Sequence, residues 1–188
     1  MMTNDGFHYA YNAQALVDEA SKAIIAAEIT QAATNVNQLM PMIADARENL
    51  ESIGIDTIAR VVLLDAGYCS EENFEEIQKA GIKPLIAGGR LKHDERVPTA
   101  PRGPIPKNAT NKERMASRLR TKPGRRDYTR RKAIVEPAFG QMKVKQHAGH
   151  LRPRGLARAA REWKLPVICH DLRKLANSRT TKAAKTIV

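Results

Sequence analysis

Residues Tyr128–Lys143, YTRRKAIVEPAFGQMK, set one carboxylate, Glu136, among the cations Arg125, Arg126, Arg130, Arg131, Lys132, Lys143 and Lys145. The apolar residues Val135, Ala138, Phe139 and Met142 follow the i, i+3, i+4, i+7 spacing of a helix with one buried stripe, and Glu136 sits at the border of that stripe. A carboxylate on the rim of a packed helix, with cations before and after it, is where a metal ion and a phosphate backbone could meet. The same pattern also suits an exposed amphipathic helix whose Glu pairs with Arg or Lys. A second acid, Asp65, ends the apolar run RVVLLD (60–65) and emerges where a short strand would leave a sheet edge; it equally suits the cap of a turn.

The elements that must position these acids are spread unevenly in charge. Residues 1–89 carry 5 Lys/Arg against 13 Asp/Glu, hence −8, and residues 90–188 carry 27 against 7, hence +20, which together give the net +12. The basic half is an electrostatic footprint for nucleic acid. Aromatic residues make up only 4%, so phosphate contact with duplex DNA is favoured over base stacking on single strands. With 188 residues, 42% of them hydrophobic, the chain can build one medium domain with a genuine core. No apolar run reaches eighteen residues and no charged start precedes an apolar stretch, so neither a membrane span nor a signal peptide is marked, and a cytoplasmic location is expected. Cys69 and Cys169 lack metal-ligand or disulfide spacing and are expected to be buried thiols.

After a lead-in over 1–6, residues 7–17 and 23–30 read as two strands joined by a turn at Asp18-Glu19, an antiparallel hairpin. Residues 35–53 form a helix stopped by Gly54, and 60–65 a buried central strand. Ser70 then caps a helix to about Lys79, ended by Gly81, and 83–87 returns as a strand, so the order predicts a parallel crossover. Residues 90–127 hold five of the ten prolines and 12 Lys/Arg against 4 acids, a segment too polar to order fully, helical only over 112–120. Pro137 either starts a helix with Glu136 as its cap or kinks one that begins near Tyr128; the kink is the expected form. From Arg154 to Ser178 a helical face carries Leu156, Ala160, Trp163, Val167 and Leu175, to be kinked or split at Pro166, with Trp163 as a core anchor. Residues 179–188 read as a basic tail.

Hairpin, helix, strand ending in Asp65, crossover and a later helix with Glu136 match the element order of an RNase H-like fold. YNAQALVD (11–18), DAGYCSEEN (65–73) and YTRRKAIVEPAFGQMK in this order resemble the C-terminal part of a DDE transposase of bacterial insertion sequences, in the group with a Y-R-E-K signature; the likeness runs from about Gly6 to Leu175. The resemblance implies an α/β fold with a mixed sheet flanked by helices over 7–178, with 90–127 as a basic insertion. It further implies that Asp65 and Glu136 are the second and third metal-binding acids. Tyr128, Arg131 and Lys143 would hold transposon-end phosphates. Arg131 stands five residues before Glu136 where the wider group has four, a spacing that Lys132 meets, so either cation fits the role. The implied chemistry is cleavage and joining of DNA by two Mg²⁺ ions, which needs several converging carboxylates.

The family's first catalytic Asp lies upstream of the 11–18 motif, on the central strand, and neither Asp5 nor Asp18 replaces it. The expectation is therefore an α/β domain lacking its first, central strand, inactive in isolation, with two strand edges left open to association, including homo-oligomerisation. The chain is then either a transposase component completed in trans by an upstream polypeptide or a non-catalytic basic remnant that binds double-stranded DNA. A basic DNA-binding protein unrelated to transposition explains the charge but not the three ordered motifs.

Overall fold

A computed structural model describes residues 2–3, 6–7, 10–56, 59–87 and 104–186, with side chains from 10 to 178. Residues 90–103 of the basic insertion lie outside them. The described chain forms two compact units, 1–33 with 134–188, and 34–133. Its strands pair as three two-stranded sheets.

In the first unit, Met2–Thr3 (β1) and Gly6–Phe7 (β2) form a short antiparallel ladder. Asn12–Val17 (β3) and Ile24–Thr30 (β4) form the expected hairpin, in register from Asn12↔Thr30 to Leu16↔Ala26, with a bulge before Val17↔Ile24. Its turn is built by Asp18, whose Oδ2 accepts from Ser21 N and Ser21 Oγ, both at 2.7 Å. Those Ser21 bonds hold the Asp18 carboxyl below its ordinary pKa, so this acid is committed to the turn.

The long helix Leu156–Thr186 (α5) covers the hairpin. Buried His170 donates from Nε2 to the Lys22 carbonyl at 2.9 Å, and Asp171 Oδ1 accepts from Ile24 N at 2.9 Å, so the helix side chains replace backbone partners at the turn. Lys164 pairs with Glu28 at 3.0 Å on the same face. Trp163, as expected, is a core anchor; it is 2% exposed and clusters with Ile24, Ile29, Met142 and Ala159. The helix runs through Pro166 without a break and on through Thr186, into the stretch read as a tail. Leu156 and Leu175 were expected on the buried face and are instead exposed. Leu165, Ile168 and Leu172 are exposed as well, so α5 packs by the Trp163 face alone.

In the second unit, Leu39–Ser52 (α1) buries Leu39, Met42, Ile43 and Ala46. Val61–Leu64 (β5) and Lys83–Ile86 (β6) pair in parallel, Val61↔Lys83 to Leu64↔Ile86, around the crossover helix Glu71–Lys79 (α2). That is the pairing expected from the strand, helix, strand order. β5 is less buried than a central strand: Val61 is exposed and only Leu64 is fully buried, because the strand has a single hydrogen-bonded neighbour among the described residues. Phe74, Ile77, Leu85 and Ile86 fill the core beneath.

The later part of the basic insertion is more ordered than its composition predicts. Asn111–Arg120 (α3) starts with a full capping box between Thr110 and Glu113. Its first amides, Asn111 N and Lys112 N, also donate to the Glu71 carboxylate at 3.1 and 3.0 Å. An acid at the head of α2 thus neutralises the positive end of α3 as well, which lowers its own pKa. Lys122–Gly140 (α4) begins six residues before Tyr128. The reason is local: Thr121 Oγ1 accepts from Gly124 N at 3.1 Å, and Pro123 falls in the first turn, where its missing N–H costs nothing. Any Cβ on Gly124 would collide with the Arg118 carbonyl, so this tight joint admits only glycine.

Pro137 therefore lies inside the helix, and Glu136 is not a cap. The chain continues as a π-type turn over Gln141–Lys145, with Gln146 N donating to Gln141 O at 3.2 Å. Of the expected stripe, Ala138 and Met142 are buried and Val135 and Phe139 half-buried, while Ile134 takes the fully buried place next to Val135. The cysteine expectation was wrong in part: Cys169 is exposed and Cys69 half-buried.

Candidate functional site

Asp65 follows the last residue of β5, at the carboxyl end of the parallel pair, the usual location of sites in open α/β sheets. Its extended backbone opens a 3-10 turn, Ala66–Tyr68, and its Oδ1 accepts from Ala66 N at 2.6 Å. Turn cap and candidate ligand are thus the same residue: one oxygen is used locally and the side chain stays 61% exposed.

The rest of the DAGYCSEEN motif holds this turn. A Cβ on Gly67 would lie 2.9 Å from Asn35 Nδ2, so any larger residue there would make that side chain shift. Ser70 caps α2 by accepting from Asn73 N at 3.0 Å. Asn73, 4% exposed, donates from Nδ2 to Tyr68 O and to Val36 O, both at 2.8 Å, tying the Asp65 turn to the segment before α1. Sequence reading missed Asn35, Asn73 and the capping role of Glu71 towards α3; the only available signal was the presence of Asn73 and Glu71 inside a motif whose chemistry needs only Asp65. Replacing Asn73 by Ala removes the amide that donates to both carbonyls and is expected to cost about 1–3 kcal/mol. Hydrogen exchange should show the loss first at the amides of residues 66–69.

Tyr128 and Arg131, on α4, also meet Asp65. The Tyr128 hydroxyl donates to Leu64 O at 3.2 Å, at the end of β5, and lies within hydrogen-bonding range of the Ala87 backbone just past β6. Arg131 Nη1 is 3.9 Å from Asp65 Oδ2, and its guanidinium carbon is 5.6 Å from the Tyr128 ring centroid. Burial raises the Tyr128 phenol, and burial with the Asp65 charge pushes Tyr68 up to about 12. Both phenols therefore stay protonated at neutral pH and act as hydrogen-bond donors rather than bases.

Lys132 is exposed on α4. Glu136 and Lys143 belong to the other unit, where both are exposed, and Lys143 Nζ lies 5.7 Å from the Phe139 ring centroid. The structure thus joins Asp65, Tyr128 and Arg131 in one cluster and describes Glu136 and Lys143 separately. As a metal ligand Asp65 fits, with an exposed carboxylate at a strand end. The full donor set does not: among the described residues no three His, Cys, Asp or Glu side chains gather to hold an ion.

The family model for the transposase DDE domain matches residues 2–172. The chain belongs to the transposase DDE domain family. The resemblance carried by the three motifs is thereby borne out, and the mixed α/β architecture is compatible with it. No curated protein and no solved structure matches the chain. Membership of the transposase DDE domain family carries a transposase-like function, with DNA as partner and divalent metal ions in use across the family. No helix among the described residues is long and apolar enough to cross a membrane.

Proposed function

We propose that this DDE-domain chain supplies the second and third acids, Asp65 and Glu136, of a site that cleaves and joins DNA at transposon ends on an RNase H-like framework whose central strand is contributed from elsewhere. The observation that carries this reading is Asp65, exposed and oriented by Ala66 N at the carboxyl end of β5. Mg²⁺ ions, when bound, would activate the attacking oxygen and stabilise the leaving one. Asp65 and Glu136 would hold them, and exposed Lys132 and Lys143 would neutralise the DNA backbone. Tyr128 and Arg131, which the resemblance places on the same phosphates, face Asp65 and the strand ends.

The isolated chain is expected not to nick supercoiled plasmid with Mg²⁺ or Mn²⁺. Mixed with a polypeptide translated from the reading frame immediately upstream, it is expected to nick. Asp65→Asn or Glu136→Gln in the mixture should then abolish nicking. Cleavage by the mixture that survives both substitutions would sink the assignment of the acids, and cleavage by the isolated chain that needs Glu136 would sink the need for a partner. A non-catalytic DNA-binding remnant is the alternative, supported by the charge of +20 over 90–188, and predicts duplex binding with no nicking in either arm.

A further inference from the structure

Helix α5 packs on the β3–β4 hairpin with the side that carries Ala159, Trp163 and His170. On the opposite side of the helix, Leu165, Ile168, Leu172 and Leu175 form a line and are 49–61% exposed. Scattered apolar residues on a surface need no explanation, but four aliphatic side chains in one unbroken row mark a contact. Their spacing is three, four and three residues, the seam by which a helix pairs lengthwise with another helix. That spacing also reads the same from either end. A second α5 laid antiparallel, with a two-fold axis level with position 170, sets Leu165 of one copy against Leu175 of the other and Ile168 against Leu172. Every apolar residue then meets an apolar one, as a self-complementary interface requires. A seam made only for a foreign helix has no need of that symmetry.

We propose that the bare side of α5 pairs with the same side of a second copy of this chain, antiparallel, as a weak homodimer. The pairing needs neither the candidate acids nor DNA. At roughly 100 Å² of apolar surface for each half-exposed Leu or Ile, the eight side chains of two stripes cover about 800 Å². With the flanking residues the total approaches about 1,200 Å², where specific interfaces begin, so the dimer forms reversibly at micromolar concentration. Charge limits the stripe and sets the sign of its salt dependence. The seam positions before and after it are Arg158, Arg161, Arg179 and Lys182, and in the antiparallel pair these basic ends meet. The acids nearby do not offset them, since Glu162 accepts from Arg152 N at 2.8 Å and Asp171 from Ile24 N at 2.9 Å. Screening by salt therefore strengthens this pair, whereas it would weaken the docking of an acidic helix.

Sedimentation of the whole chain without DNA, over a range of micromolar concentrations at physiological and raised salt, tests the pairing. The wild type is expected to be a mixture of monomer and dimer whose dimer share rises with concentration and with salt. Leu172→Lys and Ile168→Lys each put a charge into the seam and are expected to weaken dimerisation tenfold or more, with helix content unchanged by circular dichroism. Cys169, exposed one position from the axis, gives a second readout that stands even if those variants unfold. In the antiparallel pair both Cys169 side chains lie on the same flank of the seam, and in a parallel pair on opposite flanks. With Cys69→Ser as background, a short bismaleimide is expected to link two copies through Cys169. Monomer under every condition would overturn the proposal and leave the stripe to another partner. A dimer indifferent to both substitutions, a dimer dispersed by salt, or a dimer that the bismaleimide fails to link would overturn it equally.

Discussion

Trp163→Ala is expected to lower folding stability by about 3–5 kcal/mol, the range for emptying a buried aromatic site. Trp163 is 2% exposed, stacks on Phe139 with ring centroids 6.1 Å apart, and shares its cluster with residues from β4, the π-type turn and α5. Domains of this size are stable by about 5–15 kcal/mol, so the loss is about a fifth or more of the total. Small neighbours such as Ala159 cannot refill the space, and the hairpin would lose the surface against which α5 orders it. Far-UV circular dichroism in urea measures the effect, since the chain's one tryptophan is removed by the substitution. Leu172→Ser, on the exposed side of the same helix, is expected to change stability by no more than about 0.5 kcal/mol. Equal losses in the two variants would show that α5 is buried on both faces in solution.

The second large effect is on DNA binding. Arg125, Arg126, Arg130, Lys132, Lys143 and Lys145 are all exposed, and each phosphate that such a cation neutralises releases condensed counterions. If six to ten phosphates are met, raising salt from about 50 to 200 mM weakens duplex binding by about 10³–10⁵. Fluorescence anisotropy of a labelled duplex over that range measures it. A flat response would refute phosphate-dominated binding, and with it the reading of the basic half as a nucleic-acid surface. Arg126 is the least informative single substitution, because its Nε already lies 3.7 Å from Asp127.

The two halves of the candidate site differed in how legible they were. Asp65 was visible because a short apolar run ending in an acid has few uses, and the caps and stops around α2 at Ser70 and Gly81 are local backbone chemistry. Glu136 was visible only through its motif. Its helix was misread at the start, since Thr121, Pro123 and Gly124 build an N-terminus without the apolar periodicity by which helices are found. In the basic insertion the helix over 112–120 was legible, but its tie to Glu71, forty residues upstream of Asn111, was not, because no local pattern marks such a bond.

What the sequence by itself determined was the family, through three ordered motifs, the division of charge, the hairpin and the crossover from β5 to β6. Each of these is written in neighbouring residues, in periodicity or in composition. The tertiary structure alone decided which partners those residues take. It set Tyr128 and Arg131 beside Leu64 and Asp65 at the end of β5, and it made Asn73 the tie of the Asp65 turn. It also left one face of α5 bare while burying Trp163 on the other. The physical reason is that a side chain's role depends on which acceptor or cavity lies within a few ångströms, and those neighbours come from segments tens of residues away. Glu136, still the acid among cations that the sequence singles out, stands exposed on α4, in the other unit from Asp65.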